Sequence, residues 1–266
     1  MIDLQHLVDL RGRRALITGA LGGLGRVFAC TLAEMGADII LVDRPDRDFS
    51  DLVSELSNWP VQVIPMHCNI EREDDRRRLM GELNCSDSQL SILINNAAFV
   101  GTSSLPGWSV PFEQQSLEAW RRAMEVNLTA VFDFCQGLTP LLRRSPGANI
   151  VNISSLYGFL GPDWSLYEGT NMSNPAAYAA AKGGLIQLTK WLSTTLAPEI
   201  RVNSISPGGI WRNQPEIFVE RYEARTPLGR MARENDFIGS IAFLCSDLSN
   251  YITGQNIIVD GGWSSW

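Results

Sequence analysis

Short apolar runs alternating with helical patterns constrain this chain more than any other feature of its sequence. Arg14-Ala15-Leu16-Ile17-Thr18 is one such run. It ends in a glycine-rich turn, and the stretch from Arg26 to Met35 carries a helical pattern closed by Gly36. A second run, 37–42, ends at Asp43 and completes the spacing of a strand-helix-strand unit. Further runs at 61–65, 92–94, 149–153, 202–205 and 256–259 bring the expected strands to seven, with helical patterns between most of them. Runs this uniformly apolar belong to strands covered on both faces, because a sheet wet on one side would alternate polar with apolar residues. The expected fold is therefore α/β, a doubly wound parallel sheet of about seven strands with helices on both faces. At 266 residues and 45% hydrophobic content the chain can fill such a core. No repeat, low-complexity tract or linker divides it, so residues 1–266 are read as a single domain.

Sheets of this kind bind ligands beyond the carboxyl ends of their strands, and the residues with chemistry fall there. Thr18-Gly19-Ala20-Leu21-Gly22-Gly23-Leu24-Gly25 sets glycines where a strand turns into a helix, so that backbone can approach a pyrophosphate at the helix N-terminus. Tight turns also need glycine, and it is the strand before and the helix after that favour a nucleotide. Asp43 ends the next strand, where a carboxylate can accept from adenosine ribose hydroxyls and repel a 2′-phosphate, so NAD is expected in preference to NADP. Arg44 beside it would serve a 2′-phosphate if Asp43 turned away. Tyr178 and Lys182 stand one helical turn apart and face the same side. A fixed ammonium favours phenolate, which would make Tyr178 a proton carrier for chemistry at an alcohol or carbonyl. The same pair also decorates solvated helices, and the spacing by itself leaves both readings open.

Composition narrows the partners. A net charge of −7 without a basic stripe argues against nucleic acid and anionic membranes, and no apolar stretch is long enough to span a bilayer. The expected protein is soluble and cytoplasmic. Its five cysteines are widely separated and lie mostly in apolar runs, which suggests buried thiols in a reducing compartment. His6 and His67 have no further ligands at metal spacing, so no metal is expected.

Taken together, these motifs resemble the short-chain dehydrogenases/reductases over nearly the whole length. The resemblance rests on the loop 18–25, Asn95-Asn96-Ala97-Ala98, Val126-Asn127-Leu128, Asn152-Ile153-Ser154-Ser155, Tyr178 with Lys182, Arg201 to Ile210, and Tyr251 through Gly262. It implies a Rossmann-like fold and a catalytic group of Asn127, Ser155, Tyr178 and Lys182, with Asn127 holding a water chain to the lysine. Ser155 matches because Gly158 follows it by three, which leaves Ser154 as a turn residue. The family also implies cofactor contacts from Gly19, Gly23, Leu24, Gly25, Asp43, Arg44, Asn69, Ile70, Asn95, Ala97, Tyr178, Lys182, Pro207, Gly208 and Ile210.

Three departures from the family pattern stand out. Ala98 replaces a glycine, Asn69 replaces an Asp that caps the adenine amino group, and the stretch from Ser155 to Tyr178 is longer than the compact form. The insert, near 159–177, is expected over the pocket, with Trp164 and Tyr167 (and Glu168) meeting a polyhydroxylated substrate; a surface loop pinned by two aromatics is the alternative. A lid is expected near 211–225, where Arg212, Arg221 and Arg225 either meet a phosphate or decorate a solvated helix. Trp263 and Trp266 at the end of the chain suggest a subunit contact, and the family implies a homodimer or homotetramer.

The expected activity is hydride transfer between a nicotinamide cofactor and a secondary alcohol or ketone, with Ser155 and Tyr178 on the substrate oxygen. The substrate is expected to be polar and sugar-like. A 3-oxoacyl thioester or steroid-type ketone is the alternative within enzymes, and a catalytically silent dinucleotide-binding subunit is the alternative outside them.

Overall fold

The computed structural model describes residues 3–85, 89–101 and 103–266. Its centre is a parallel sheet of strands β1 (Arg14–Thr18), β2 (Asp38–Asp43), β3 (Val63–His67), β4 (Ile92–Asn95), β5 (Ala148–Ile153), β6 (Ile200–Pro207) and β7 (Asn256–Val259), in the order β3-β2-β1-β4-β5-β6-β7. The described α-helices are α1 (Leu4–Val8), α2 (Gly23–Glu34), α3 (Ser50–Leu56), α4 (Glu73–Cys85), α5 (Leu117–Met124), α6 (Ala130–Leu142), α7 (Ala176–Leu196), α8 (Glu216–Arg225) and α9 (Ile238–Cys245), with short 3₁₀ and π turns between them. Phe28, Leu32, Leu52, Ile241 and Leu244, from α2, α3 and α9, cover one face of the sheet. Leu79, Leu83, Phe134, Leu138, Leu185 and Leu192, from α4, α6 and α7, cover the other. The central strands are buried on both faces, as their uniform apolar runs require.

The sheet is built outward from β1 in one direction and then restarts at β4 on its other side. The loops leaving these two neighbours part company and open a crevice at the carboxyl edge. The glycine-rich turn and Asn95-Asn96-Ala97 both emerge there.

Several boundaries differ from the sequence expectation. α2 begins at Gly23 instead of Arg26, because Gly22 is in extended conformation and serves as its N-cap. β3 starts at Val63 and continues to His67, since Met66 and His67 still pair with Val42 and Asp43. β6 runs the full length from Ile200 to Pro207, extended by pairing with β5 at one end and β7 at the other. Cys85 is exposed at the end of α4, whereas Cys68, Cys135 and Cys245 are buried.

Candidate functional site

The turn after β1 is knitted to the turn after β4. Thr18 Oγ1 accepts from the amides of Asn96 and Ala97 at 3.0 and 3.1 Å, and Asn96 Nδ2 donates to the carbonyls of Thr18 and Gly19, both at 3.0 Å. Gly19 has φ +63°, and a Cβ on it would lie 2.9 Å from Ala97 Cα; one on Gly25 would lie 2.2 Å from the Gly19 carbonyl oxygen. Asp43, at the end of β2, is anchored to the same loop. Its Oδ2 accepts from the Leu21 amide and its Oδ1 from the Arg44 amide, each at 2.9 Å. The Arg44 guanidinium turns away to Asp46 at 3.3 Å, in solvent.

A dinucleotide fits this cradle on two grounds. Gly22 offers α2 no side-chain cap, which leaves the first amides of a twelve-residue helix facing outward toward an anion. The atoms nearest a Cβ on Gly23 would be those of the Glu234 side chain, with Oε1 at 2.7 Å, so what stands over this turn is a side chain that can move. Leu24 is buried behind the turn. Further along the edge, Asn69 Oδ1 accepts from the Glu71 amide at 3.1 Å, and the Ile70 carbonyl accepts from Arg76 at 2.6 Å.

The side chain of Asn95 is taken up by partners within the protein. It is buried beneath the crevice, donating from Nδ2 to Asn152 Oδ1 at 2.9 Å; Asn152 in turn donates to Thr189 Oγ1 at 2.9 Å. The last residue of β4 points its side chain into the sheet's covered face, and Asn96, which the sequence reading passed over, makes the loop contacts instead.

Ser155, Tyr178 and Lys182 are brought together where β5 ends against α7. The close approach depends on Gly158, whose Cβ would lie 2.8 Å from the Lys182 carbonyl oxygen. Ser154 takes the turn role, donating to that same carbonyl at 2.9 Å. Ser155 is buried, and its Oγ accepts from the Tyr157 amide at 3.2 Å. Lys182 is buried to 3% exposure, with Nζ donating to the Ile153 carbonyl at 2.6 Å and lying 5.8 Å from the centre of the Tyr178 ring.

The pKa shifts differ from the simple ion-pair expectation. Burial pushes the Tyr178 phenol up, while a hydrogen bond to Ser155 and the charge of Arg212 draw it back. Burial also lowers Lys182 to about 7. Its proton donation to Ile153 directs the ammonium to the strand end, and desolvation acts on both groups against their charged forms.

Lys182 therefore gives stability a pH dependence. Its folded pKa lies below its free-chain value of ~10.4, so from about pH 7 upward the unfolded chain binds more protons and unfolding free energy rises with pH. Four buried or half-buried thiols act in the opposite sense as free-chain cysteines ionise near ~8.5, so the comparison is made below pH ~7.5: there the slope of urea-unfolding free energy against pH is expected to be more positive in the wild type than in Lys182→Met. Equal slopes in the two proteins would count against a depressed Lys182.

Asn127 stands in a π-helical turn, Glu125–Thr129, where the Ala130 amide bonds to the Glu125 carbonyl. Its fully buried amide is committed to the loop after β4, accepting from the Phe99 amide at 2.7 Å and donating to the Phe99 carbonyl at 3.0 Å. That loop supplies a wall the sequence did not suggest. Trp108 is buried, donates Nε1 to the Val100 carbonyl at 2.8 Å, and packs with Phe99, Ala177 and Tyr178.

Pro207 and Gly208 close β6, and the Gly209 amide donates to the Tyr222 hydroxyl at 2.5 Å. Ile210 pairs with Ala232. Segment 159–177 packs on segment 211–225. The hydroxyls of Tyr157 and Tyr167 share a hydrogen bond of 2.7 Å, and rings run from Trp164 through Tyr167, Phe218 and Tyr222 to Trp263 at spacings of 5.4 to 6.0 Å. Arg221 donates to the carbonyls of Ser165 and Glu168, and Arg225 pairs with Asp163, so both arginines are engaged with the 159–177 segment. Trp263 likewise is buried within its own chain, stacked on Tyr222 with Arg225 above it at 4.5 Å, whereas Trp266 is exposed. The expectation of a subunit contact fails for Trp263 because the 211–225 segment already covers it.

A family model described as enoyl-(acyl carrier protein) reductase matches residues 19–264. A 3-oxoacyl-[acyl-carrier-protein] reductase of Thermotoga maritima is 32% identical, over 95% of this chain and 98% of its own length. An uncharacterised short-chain type dehydrogenase/reductase of Sinorhizobium fredii is 33% identical over 96% of this chain, which spans 44% of that longer relative. Among solved structures, a short-chain dehydrogenase from Leptospira borgpetersenii with bound NAD+ is similar with a TM-score of 0.84 and 32% identity, covering 99% of this chain and 97% of its own. A gluconate 5-dehydrogenase from Burkholderia cenocepacia, in complex with NADP and tartrate, is similar with a TM-score of 0.87 and 27% identity, covering 99% and 100%.

Proposed function

The chain belongs to the short-chain dehydrogenases/reductases, and from that membership we propose that Tyr178, Ser155 and Lys182 carry proton transfer at the oxygen of a secondary alcohol or ketone, with Asn127 supporting them. The observation that carries this reading is the convergence of the Ser155 hydroxyl, the Tyr178 phenol and the buried Lys182 ammonium at one strand end. A nicotinamide dinucleotide, NAD or NADP, supplies the hydride acceptor or donor when bound. Tyr178 is protonated at neutral pH, the state that donates to a carbonyl oxygen; in the oxidising direction it must first release that proton, and its phenolate oxygen then receives the alcohol proton. Ser155 donates to the substrate oxygen as charge develops on it. In its ammonium form Lys182 has two protons on Nζ beyond the one given to Ile153, which would be available to nicotinamide ribose hydroxyls. Gly19, Gly23, Leu24, Gly25 and Ala97 form the diphosphate cradle, Asn69 and Ile70 the adenine side, and Pro207, Gly208 and Ile210 the nicotinamide side.

NAD is the preferred cofactor in this reading, because the Asp43 carboxylate is fixed at the ribose end while Arg44 is engaged with Asp46. Asp43→Ala is expected to weaken NAD and move the NAD-to-NADP affinity ratio toward NADP by ~10-fold or more, the repulsion between like charges being about 1 kcal/mol in water at ~4 Å and more at lower dielectric. Titration of both cofactors checks it, and an unmoved ratio would make Asp43 a loop anchor only.

For the substrate we favour a polar, sugar-derived alcohol or ketone, beneath segment 159–177 as substrate loop and 211–225 as lid. The likeness to a gluconate 5-dehydrogenase supports this. One observation favours a 3-oxoacyl or other apolar ketone instead: the Tyr157 and Tyr167 hydroxyls are taken up by each other, and both rings pack in an apolar cluster with Leu156, Leu160 and Leu166. A panel of sugar acids, sugar phosphates, 3-oxoacyl thioesters and steroids, scored by NADH and NADPH absorbance, decides between them. Tight cofactor binding without turnover of any class would point to a silent dinucleotide-binding subunit.

The same reading makes residues 1–266 one cytoplasmic domain that assembles as a homodimer or homotetramer. Trp120, Phe132 and Trp191, exposed on α5, α6 and α7, support the assembly. No described helix is long and apolar enough to cross a membrane.

A further inference from the structure

Gly23 opens α2, and the space above it is filled from far along the chain. A Cβ built on Gly23 would lie 2.7 Å from Oε1 of Glu234, a residue of the short turn Glu234–Phe237 that precedes α9. The same oxygen accepts from Arg212 Nε at 3.1 Å. Arg212 itself is set by the turn after Ile210: its amide donates to Gln214 Oε1 at 2.6 Å, and Gln214 Nε2 donates to the Ile210 carbonyl at 2.7 Å. Its charge is felt at Tyr178. The guanidinium is therefore joined through Glu234 to the first turn of α2, and its charge reaches the Tyr178 phenol.

The amino end of a helix favours negative charge, and here the protein supplies that charge from its own chain. Glu234 is an internal anion seated on the cradle, and a diphosphate cannot share so small a space with a carboxylate. Entry of the diphosphate swings Glu234 aside and deprives Arg212 of its partner. A planar guanidinium released beside two phosphates has the geometry to bind them in a fork. Of its neighbours, Arg230 is already committed to Asp236 at 2.6 Å.

Resting on the dinucleotide reading above, we propose that Arg212 is a diphosphate ligand held in reserve by Glu234, and that Glu234 is a displaceable stand-in which sets cofactor affinity. Both side chains are partly exposed, at 41% and 29%, so variants at either position are expected to fold.

Calorimetric titration of the whole chain with NADH, and separately with ADP-ribose, tests the proposal. Arg212→Gln should weaken both ligands by ~10-fold or more, with Arg212→Lys intermediate because charge survives and the fork does not. Glu234→Gln should tighten both several-fold. The double variant should remain weak, since a ligand is missing whether or not the stand-in is present. A double variant as tight as Glu234→Gln would overturn the proposal by reducing Arg212 to a holder of Glu234. Unchanged dissociation constants in Arg212→Gln would also overturn it, as would a raised KM for an anionic substrate with NADH affinity intact. Failure of the wild type to bind either ligand would overturn the dinucleotide reading itself, together with this inference.

Discussion

Tyr178→Phe is expected to lower turnover by a factor of ~10² to 10⁴ while leaving the dissociation constant for NADH nearly unchanged. The substitution removes one hydroxyl, and the ring that packs beside Phe99 and Trp108 stays, so the fold has little reason to respond. What is lost is the only phenol placed with both Ser155 and Lys182 among the described residues. Ser155 can still polarise a substrate oxygen but, in the reducing direction, has no ready proton to give at neutral pH. Steady-state kinetics alongside fluorescence titration of NADH separate the two effects. Turnover at the wild-type level would remove Tyr178 from the mechanism, and a large loss of NADH affinity would make it a binding group instead.

Gly25→Ala is expected to have the second largest effect. The added methyl would lie 2.2 Å from the Gly19 carbonyl oxygen and 2.8 Å from Ala20 Cα, both backbone, so the loop itself has to move. Overpacking of this kind costs about 1–3 kcal/mol, and here the displaced atoms belong to the cradle and to the Asn96 contacts that fix it. A lower melting temperature and an NADH dissociation constant raised by ~10-fold or more are expected. Gly81→Ala is the control, because a Cβ in that α4 position meets nothing within 4 Å and should stabilise the helix by about 0.5–1 kcal/mol. Equal behaviour of the two variants would show that the loop glycine is not needed for space.

Much of this was legible before any coordinates. Leu16, Ile17, Ile40, Leu41, Leu93 and Ile94 are buried on a sheet that no alternating pattern could have formed, and uniform apolar runs say so directly. Gly19 and Gly25 were readable as close approaches because the turn they sit in is local. The Tyr178 and Lys182 pair was readable because one helical turn fixes its geometry, although not its electrostatics: nothing local announces that Lys182 points to Ile153 on another element.

Features made by distant segments were not legible. Glu234 over Gly23 joins two ends of the chain, and Asn95 differs from Asn96 only in which way a strand end turns. The partners of Arg221 and Arg225 lie on the insert, so their charge looked available for phosphate until Asp163 and the carbonyls of Ser165 and Glu168 were found beside them. Trp108 lies in a stretch without periodicity and gave no signal beyond its size.

The stacking of Trp263 on Tyr222 has a consequence for the last few residues. Tyr222 holds the Gly209 amide at the turn after β6, and Trp266 reaches back to the Arg225 carbonyl, so two short steps join these indoles to the carboxyl edge of the sheet. Removing either indole would thus be transmitted inward, to the turn that follows β6.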